Sequence, residues 1–175
     1  MKSEASKREL SSSFLRCFPA MWRMCNFCMG CFFALAAYVQ VNDPDAGIWM
    51  AAYIIPSGLC FMVCVIPAIT ENLIWSQLSD LHMASCLIVA GALGLSVYRN
   101  ATKNILHEEE GREFFGLLLV AVWLLLCRRS GKNPVGGLRL SAAGVIVAFP
   151  FVAWLYYHVN THLRDSWPSH CKTAL

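Results

Sequence analysis

Apolar residues in this chain are gathered into long runs that short polar segments separate. An α-helix needs about twenty residues to cross the hydrocarbon core of a bilayer, and four of these runs are close to that length. They cover roughly residues 20–41, 47–66, 81–98 and 138–159. The pattern therefore predicts an all-α fold, a polytopic transmembrane helical bundle.

A fifth apolar run is shorter, and it directly follows the most highly charged segment of the chain. It covers residues 114–127, which at 1.5 Å per residue is about 21 Å, against a hydrocarbon core of about 30 Å. A helix that crosses here must begin upstream, near Glu108 or Glu109, or the bilayer must thin locally. We expect about five spanning helices in all.

The polar segments divide the chain further. Residues 1–19 form a polar N-terminal tail that we expect to be disordered or interfacial, residues 20–159 the bundle, and residues 160–175 a polar C-terminal tail. Residues 68–80 mix polar and apolar positions, which favours a short interfacial helix or the early turns of the third span. We expect Ser79 or Asp80 to cap that span.

The turn between the first two spans predicts how the second begins. We expect Asp43 to cap the second helix and Pro44 to be its first residue, because proline needs no hydrogen-bond acceptor there. Asp45 then falls in the first turn, where the helix dipole favours a negative charge.

Composition agrees with the membrane prediction. The chain is 57% hydrophobic and 14% charged, whereas soluble domains have about 45–50% and about 25%. The lipid bilayer is thus the expected partner. The net charge is only +3 and no basic stripe is interleaved with aromatic residues, so we expect no nucleic-acid partner.

Small residues four apart predict close helix packing, within the chain or in a helix-mediated oligomer or with a membrane protein partner. These pairs are Gly30 and Ala34, Ala90 and Gly94, and Gly144 and Ala148.

The nine cysteines do not indicate a disulfide scaffold. Most lie inside apolar runs, where a free thiol behaves as a small hydrophobic group. Cys25, Cys28 and Cys31 recur every three residues, but no histidine lies beside them and a zinc site needs four ligands. We do not expect a metal at these thiols.

Positive charges predict the orientation. With five crossings, the segments on the N-terminal side hold nine Lys and Arg and those on the other side hold five. The positive-inside rule then places the N-terminus in the cytoplasm and the C-terminus on the non-cytoplasmic face. Both acidic segments of the chain would emerge on that non-cytoplasmic face.

Those two segments form the candidate functional site. It is a polar cluster that organises helix packing or binds a ligand, because acids held at the membrane interface are costly unless they are paired or turned inward. Arg112 can pair with Glu108 four residues earlier, and carboxylates at helix N-termini need no ligand to explain them. The cluster consists of Asn42, Asp43, Asp45, Glu109, Glu110, Arg112 and Glu113.

A divalent metal is the possible cofactor of such a cluster. Carboxylates suit Ca²⁺ or Mg²⁺, and added imidazoles suit Zn²⁺ or Mn²⁺. The candidate ligands are Asp45, Glu109, Glu113, His158 and His162.

The alternative function is then a metal-dependent membrane hydrolase acting on a lipid or a small molecule, with Glu109 or Glu113 as general base. A His-Glu-x-x-His motif fails because position 111 is Gly. The catalytic residues are unknown, and whether the chain is an enzyme stays open.

Four segments together resemble the transmembrane protein 220 family. They are Val-Gln-Val-Asn-Asp-Pro-Asp at 39–45, Asn-Ile-Leu-His-Glu-Glu-Glu-Gly-Arg-Glu at 104–113, Lys-Asn-Pro-Val-Gly-Gly at 132–137, and Ser-Trp-Pro-Ser-His-Cys-Lys-Thr at 166–173. The similarity covers roughly residues 21–175. It implies a multipass membrane protein without an established activity, and it supplies no catalytic residues.

Overall fold

The protein is a bundle of antiparallel helices. The computed structural model describes the backbone of residues 2–42, 45–100, 109–132 and 136–161, and in these ranges every side chain except those of residues 2–17, 42, 97, 100, 109, 110, 131 and 132. The described helices are α1 (Lys2–Val39), α2 (Ala46–Val65), α3 (Leu73–Asn100), α4 (Glu109–Lys132) and α5 (Gly137–Val159), with short 3-10 helices at Gln40–Asn42 and Pro67–Glu71. The predicted all-α fold is confirmed.

Four helices of the described chain are long and apolar enough to cross a membrane. Their apolar parts are Phe18–Val39, Ala46–Val65, Leu73–Ser96 and Gly137–Val159. The multipass prediction is therefore confirmed. Helix α1 already begins at Lys2, so the backbone of the predicted N-terminal tail continues into the first spanning segment.

Helix α4 contains the short apolar run. It begins at Glu109 and has 24 residues, about 36 Å of helix, which confirms the predicted upstream start. The ring of Phe114 packs against Gly94 near the end of α3, while Arg128 pairs with Asp80 near the start of α3. Because these contacts lie at opposite ends of both helices, α4 runs antiparallel to α3 through the bundle.

The physical reason why α4 manages with so few apolar residues is its central position. Only 17% of the apolar window of α3 or of α5 is buried inside the protein, so those helices face lipid. Helix α4 contributes a large share of the core, and neighbouring helices rather than lipid surround its buried face. Its most deeply buried side chains are Leu117, Val120, Trp123, Leu124 and Cys127.

Two of the three predicted small-residue contacts are confirmed. A Cβ at Gly30 would lie 3.0 Å from the Phe61 ring, and Ser57 Oγ donates a hydrogen bond to the Gly30 carbonyl at 2.8 Å. Helices α1 and α2 therefore cross closely at this glycine. Gly94 similarly receives an aromatic ring from α4. A Cβ at Gly144 would have no atom of the described chain within 4 Å, so this face of α5 is left open.

The predicted cap of the third span is wrong, whereas residues 73–80 are the early turns of that span, one of the two alternatives expected for the segment 68–80. Helix α3 begins directly after Asn72, whose Oδ1 accepts hydrogen bonds from the backbone N–H of Ile74 at 2.9 Å and of Trp75 at 3.4 Å. Ser79 and Asp80 thus lie inside the helix and do not cap it. Their polarity interrupts the apolar pattern because this part of α3 packs on α4, where Ser79 is buried and Asp80 has an ionic partner.

The predicted start of the second span also needs correction. Helix α2 begins at Ala46, and Asp45 occupies the N-cap position without a side-chain capping hydrogen bond. Its backbone has φ −106° and ψ 30°, so Asp45 precedes the first turn instead of belonging to it. Asp43 and Pro44, the predicted cap and first residue of this helix, lie outside the described residues.

Candidate functional site

The described residues of the predicted polar cluster fall at one end of the bundle, which we call the acidic end. Asn42 is the last residue of the first 3-10 helix, and Asp45 is exposed ahead of α2. Glu109 and Glu110 are the first two residues of α4. Nothing beyond this backbone placement is described for these two glutamates, so their role stays a prediction.

The next turn of α4 packs into the bundle. Arg112 and Glu113 are both half-buried, and each interacts with another group. The buried Tyr53 of α2 lies in the electrostatic field of Glu113. Its hydroxyl rests directly over the α-carbon of Gly116, in the space that a Cβ would need. Helices α2 and α4 are therefore in tight contact next to Glu113.

The predicted metal ligands are not assembled within the described residues. His158 is exposed at the end of α5, where its ring stacks on Trp154 with 5.0 Å between centroids. His162 lies outside the described residues. In the described part of the chain, no group of three or more His, Cys, Asp or Glu side chains could hold a metal ion.

Specific polar contacts dominate the opposite end, which we call the basic end after Arg23, Arg128, Arg129 and Arg139. Arg128 of α4 binds Asp80 of α3 in a bidentate manner, with Nε–Oδ1 2.7 Å and Nη2–Oδ2 2.8 Å. Paired N–H donors match the two carboxylate oxygens, which makes this geometry stronger than a single contact. The pair fixes the register of α3 and α4.

Arg23 closes the end of the neighbouring helix. Its Nε donates to the Cys64 carbonyl at 2.6 Å and its Nη2 to the Val65 carbonyl at 3.0 Å. The last carbonyls of a helix have no partner in that helix and carry partial negative charge. Arg23 therefore caps α2 from α1.

A buried polar group joins α1 to α4 further inside. Asn26 is fully buried, donates through Nδ2 to the Trp22 carbonyl at 2.9 Å, and accepts from the Cys127 thiol at 3.2 Å. Trp22 stacks on Trp123 with 5.9 Å between ring centroids. Trp22 is therefore part of the core.

His82 supplies a polar contact in the middle of the bundle. Its Nε2 lies 3.0 Å from the carbonyl oxygen of Ala52 and 3.6 Å from Cys86 Sγ. A carbonyl can only accept, so Nε2 carries a hydrogen. The contact links α3 to α2 and fixes the orientation of the imidazole ring.

The contacts of Asp80 and His82 were missed because the third span predicted from the sequence began at residue 81. That prediction therefore placed Asp80 just ahead of the helix and His82 in its first turn. Once Asn72 is taken as the cap, both side chains lie within a membrane-length helix. An ionisable residue in such a helix almost always has a partner. The chain contained that signal, but the identity of each partner depends on how the helices pack.

Comparison with known proteins agrees with this architecture. Residues 32–129 match the family described as "Transmembrane family 220, helix". Transmembrane protein 220 of Xenopus laevis is 49% identical over 155 residues, which are 89% of this chain and 84% of that protein. The chain belongs to the transmembrane 220 family. No solved structure matches it.

The family match extends from the last two turns of α1 almost to the end of α4. It includes Asp80, His82 and Arg128, while Arg23 and α5 lie outside it. Membership establishes a multipass membrane protein, and the description of the family names no substrate. The resemblance predicted from four sequence segments is confirmed.

Proposed function

We propose that this member of the family is a non-catalytic membrane protein that acts through the contacts of its helices within the bilayer. In this proposal the acidic end is a packing element. The observation that carries it is the position of the Tyr53 hydroxyl over Gly116, one turn beyond Glu113. The Tyr53 side chain occupies the space between α2 and α4 beside Glu113.

The orientation is also part of the proposal, with the N-terminus in the cytoplasm and the C-terminus on the other side. Its support is the unequal distribution of the arginines whose side chains the structure describes, with four at the basic end and two, Arg99 and Arg112, at the acidic end. Arg23, Arg128, Arg129 and Arg139 lie at one end, and Asp45 and the beginning of α4 at the other. The positive-inside rule assigns the basic end to the cytoplasm.

A metal-dependent hydrolase finds no comparable support. Three or more convergent ligands are needed for a metal site of this kind, and the described residues contain no such group. A helix-mediated partner, in contrast, has an uncovered surface available at Gly144, where close approach of a second helix is sterically possible.

The test compares Glu113→Gln with Asp45→Asn in the purified full-length protein. Glu113 is half-buried beside Tyr53, whereas Asp45 is exposed and makes no capping bond. We expect Glu113→Gln to lower the free energy of unfolding by about 1 kcal/mol, with no effect of a chelator, and Asp45→Asn to change it little.

Elemental analysis of the same samples decides between packing and ligand binding. Wild type is expected to carry no stoichiometric Zn, Mn, Ca or Mg. Stoichiometric metal that is lost in Glu113→Gln, together with destabilisation of wild type by a chelator, would contradict the packing role.

A further inference from the structure

An open groove of about 590 Å³ lies on the outer surface of the α1–α2 hairpin at the basic end. Its volume is within the range of small-molecule sites, about 300–1,000 Å³. Along α1 it extends from Ala20 to Phe27, about 10 Å of helix. The groove is lined by Ala20, Arg23, Met24, Phe27, Cys64 and Val65.

Apart from Arg23, every lining residue is apolar. Met24 is 62% exposed and Val65 is 66% exposed, so the groove opens away from the bundle, toward the surrounding lipid. Phe27 packs edge-on against Phe61 with 6.0 Å between ring centroids. The groove is therefore apolar except for one cationic lining residue, Arg23.

The charge of Arg23 is not neutralised by a carboxylate in the described chain. The guanidinium donates to two backbone carbonyls through Nε and Nη2. Since it has five N–H donors, three remain, including both on Nη1. Arg23 lies within the apolar part of α1. A cation in an apolar helix is costly unless it is paired, and an anion would accept the N–H groups that the two carbonyls leave unbound.

We propose that this groove binds an anionic phospholipid. The phosphate oxygens accept the free N–H groups of Arg23, which match them in geometry, and one acyl chain lies along Met24 and Phe27. The positive charge of Arg23 favours a headgroup of net negative charge over a zwitterionic one, whose ammonium it repels, because like charges brought together are unfavourable. The site therefore selects lipid by net headgroup charge.

The experiment uses the full-length protein in nanodiscs of phosphatidylcholine that contain a minor fraction of phosphatidylglycerol with the same acyl chains. Native mass spectrometry then measures which lipid stays bound. We expect wild type to retain phosphatidylglycerol with a preference of about tenfold over its share of the bilayer, the factor that one charge-assisted contact provides.

Two variants and one control locate the site. Arg23→Gln should remove the preference, and Ala20→Trp should reduce it at least about fivefold by filling the groove while the cation remains. Arg99→Gln removes an exposed arginine at the acidic end and should retain the preference. Because Arg23 also caps α2, Ala20→Trp decides the question if Arg23→Gln does not fold.

Three results would overturn the lipid site. An unchanged preference in Ala20→Trp would place the lipid elsewhere. Displacement of the lipid signal by millimolar inorganic phosphate would show a site for the free anion. A stable dimer of wild type that Ala20→Trp converts to monomer would show that a second copy of the chain occupies the groove.

Discussion

The imidazole of His82 replaces a backbone hydrogen bond that Pro56 cannot make. In an α-helix the Ala52 carbonyl accepts from the N–H four residues later, and proline at position 56 has no N–H. His82 Nε2 lies 3.0 Å from that carbonyl oxygen. The proline in α2 and the histidine in α3 are therefore two halves of one structural feature, which keeps a carbonyl inside the bilayer satisfied.

This relationship predicts coupling between the two side chains. His82→Leu should lower the free energy of unfolding by about 1 kcal/mol, a typical value for a hydrogen bond between membrane helices. In a Pro56→Ala background the loss should be much smaller, because the helix then supplies its own N–H. A double-mutant cycle in mixed micelles measures the difference. Equal losses in both backgrounds would show that the His82 hydrogen bond does not compensate for the N–H that Pro56 lacks.

The ionic contact between α3 and α4 gives a second prediction. Arg128→Gln should destabilise the protein by about 1 kcal/mol, since the side chains are partly exposed and solvent weakens the pair. The described pair has Nε–Oδ1 at 2.7 Å and Nη2–Oδ2 at 2.8 Å. Arg129→Gln is the matched control because Arg129 is exposed next to it in α4. Similar losses in both variants would show that net charge, and not the contact with Asp80, is responsible.

A steric prediction concerns Gly116. The substitution Gly116→Ala would place a methyl group on the Tyr53 hydroxyl, and overpacking of this kind typically costs about 1–3 kcal/mol. Adding Tyr53→Phe to the Gly116→Ala variant should recover part of that loss, because it removes the hydroxyl oxygen that the added methyl group would contact. Gly91→Ala is the control, as no described atom lies within 4 Å of its added Cβ. Thermal unfolding of the four proteins measures these effects, and a neutral Gly116→Ala would disprove the close contact.

The buried contact between α1 and α4 is tested at Cys127. Its thiol donates to Asn26 Oδ1 at 3.2 Å, so Cys127→Ala leaves a buried oxygen without its donor. An unsatisfied polar atom costs about 1–3 kcal/mol. Cys127→Ser restores a donor and should be closer to wild type. Cys28→Ala, at a half-buried thiol of α1, should have a smaller effect; if it matches Cys127→Ala, loss of thiol volume alone explains the change.

Topology is testable without purification. With five crossings and a cytoplasmic N-terminus, a tag inserted at residue 133 is cytosolic and one after residue 175 is not. Protease added to sealed vesicles should therefore remove the tag at residue 133 when the cytoplasmic face is outside. It should remove the tag after residue 175 when the opposite face is outside. Protection of both tags on the same side would rule out an odd number of crossings between those positions.

Much of the architecture followed from apolar run lengths and the thickness of a bilayer. The run at residues 114–127 was too short to cross by itself, which placed the helix start upstream, near Glu109, where α4 begins. The same reasoning failed at the start of α3, because Ser79 and Asp80 looked like the polar residues that precede a helix. They instead face protein, and a hydropathy pattern does not distinguish a polar residue in water from one buried against another helix.

The chain by itself determined that this is a multipass helical membrane protein, that its helices pack closely at Gly30 and Gly94, and that it belongs to its family. These properties depend on local composition and spacing, which are visible along the sequence. Only the tertiary structure decided which polar groups meet, including Asp80 with Arg128 and Asn26 with Cys127. Such partners are 48 and 101 residues apart in the sequence. Helix packing brings them together, and a local sequence pattern contains no information about how distant helices pack.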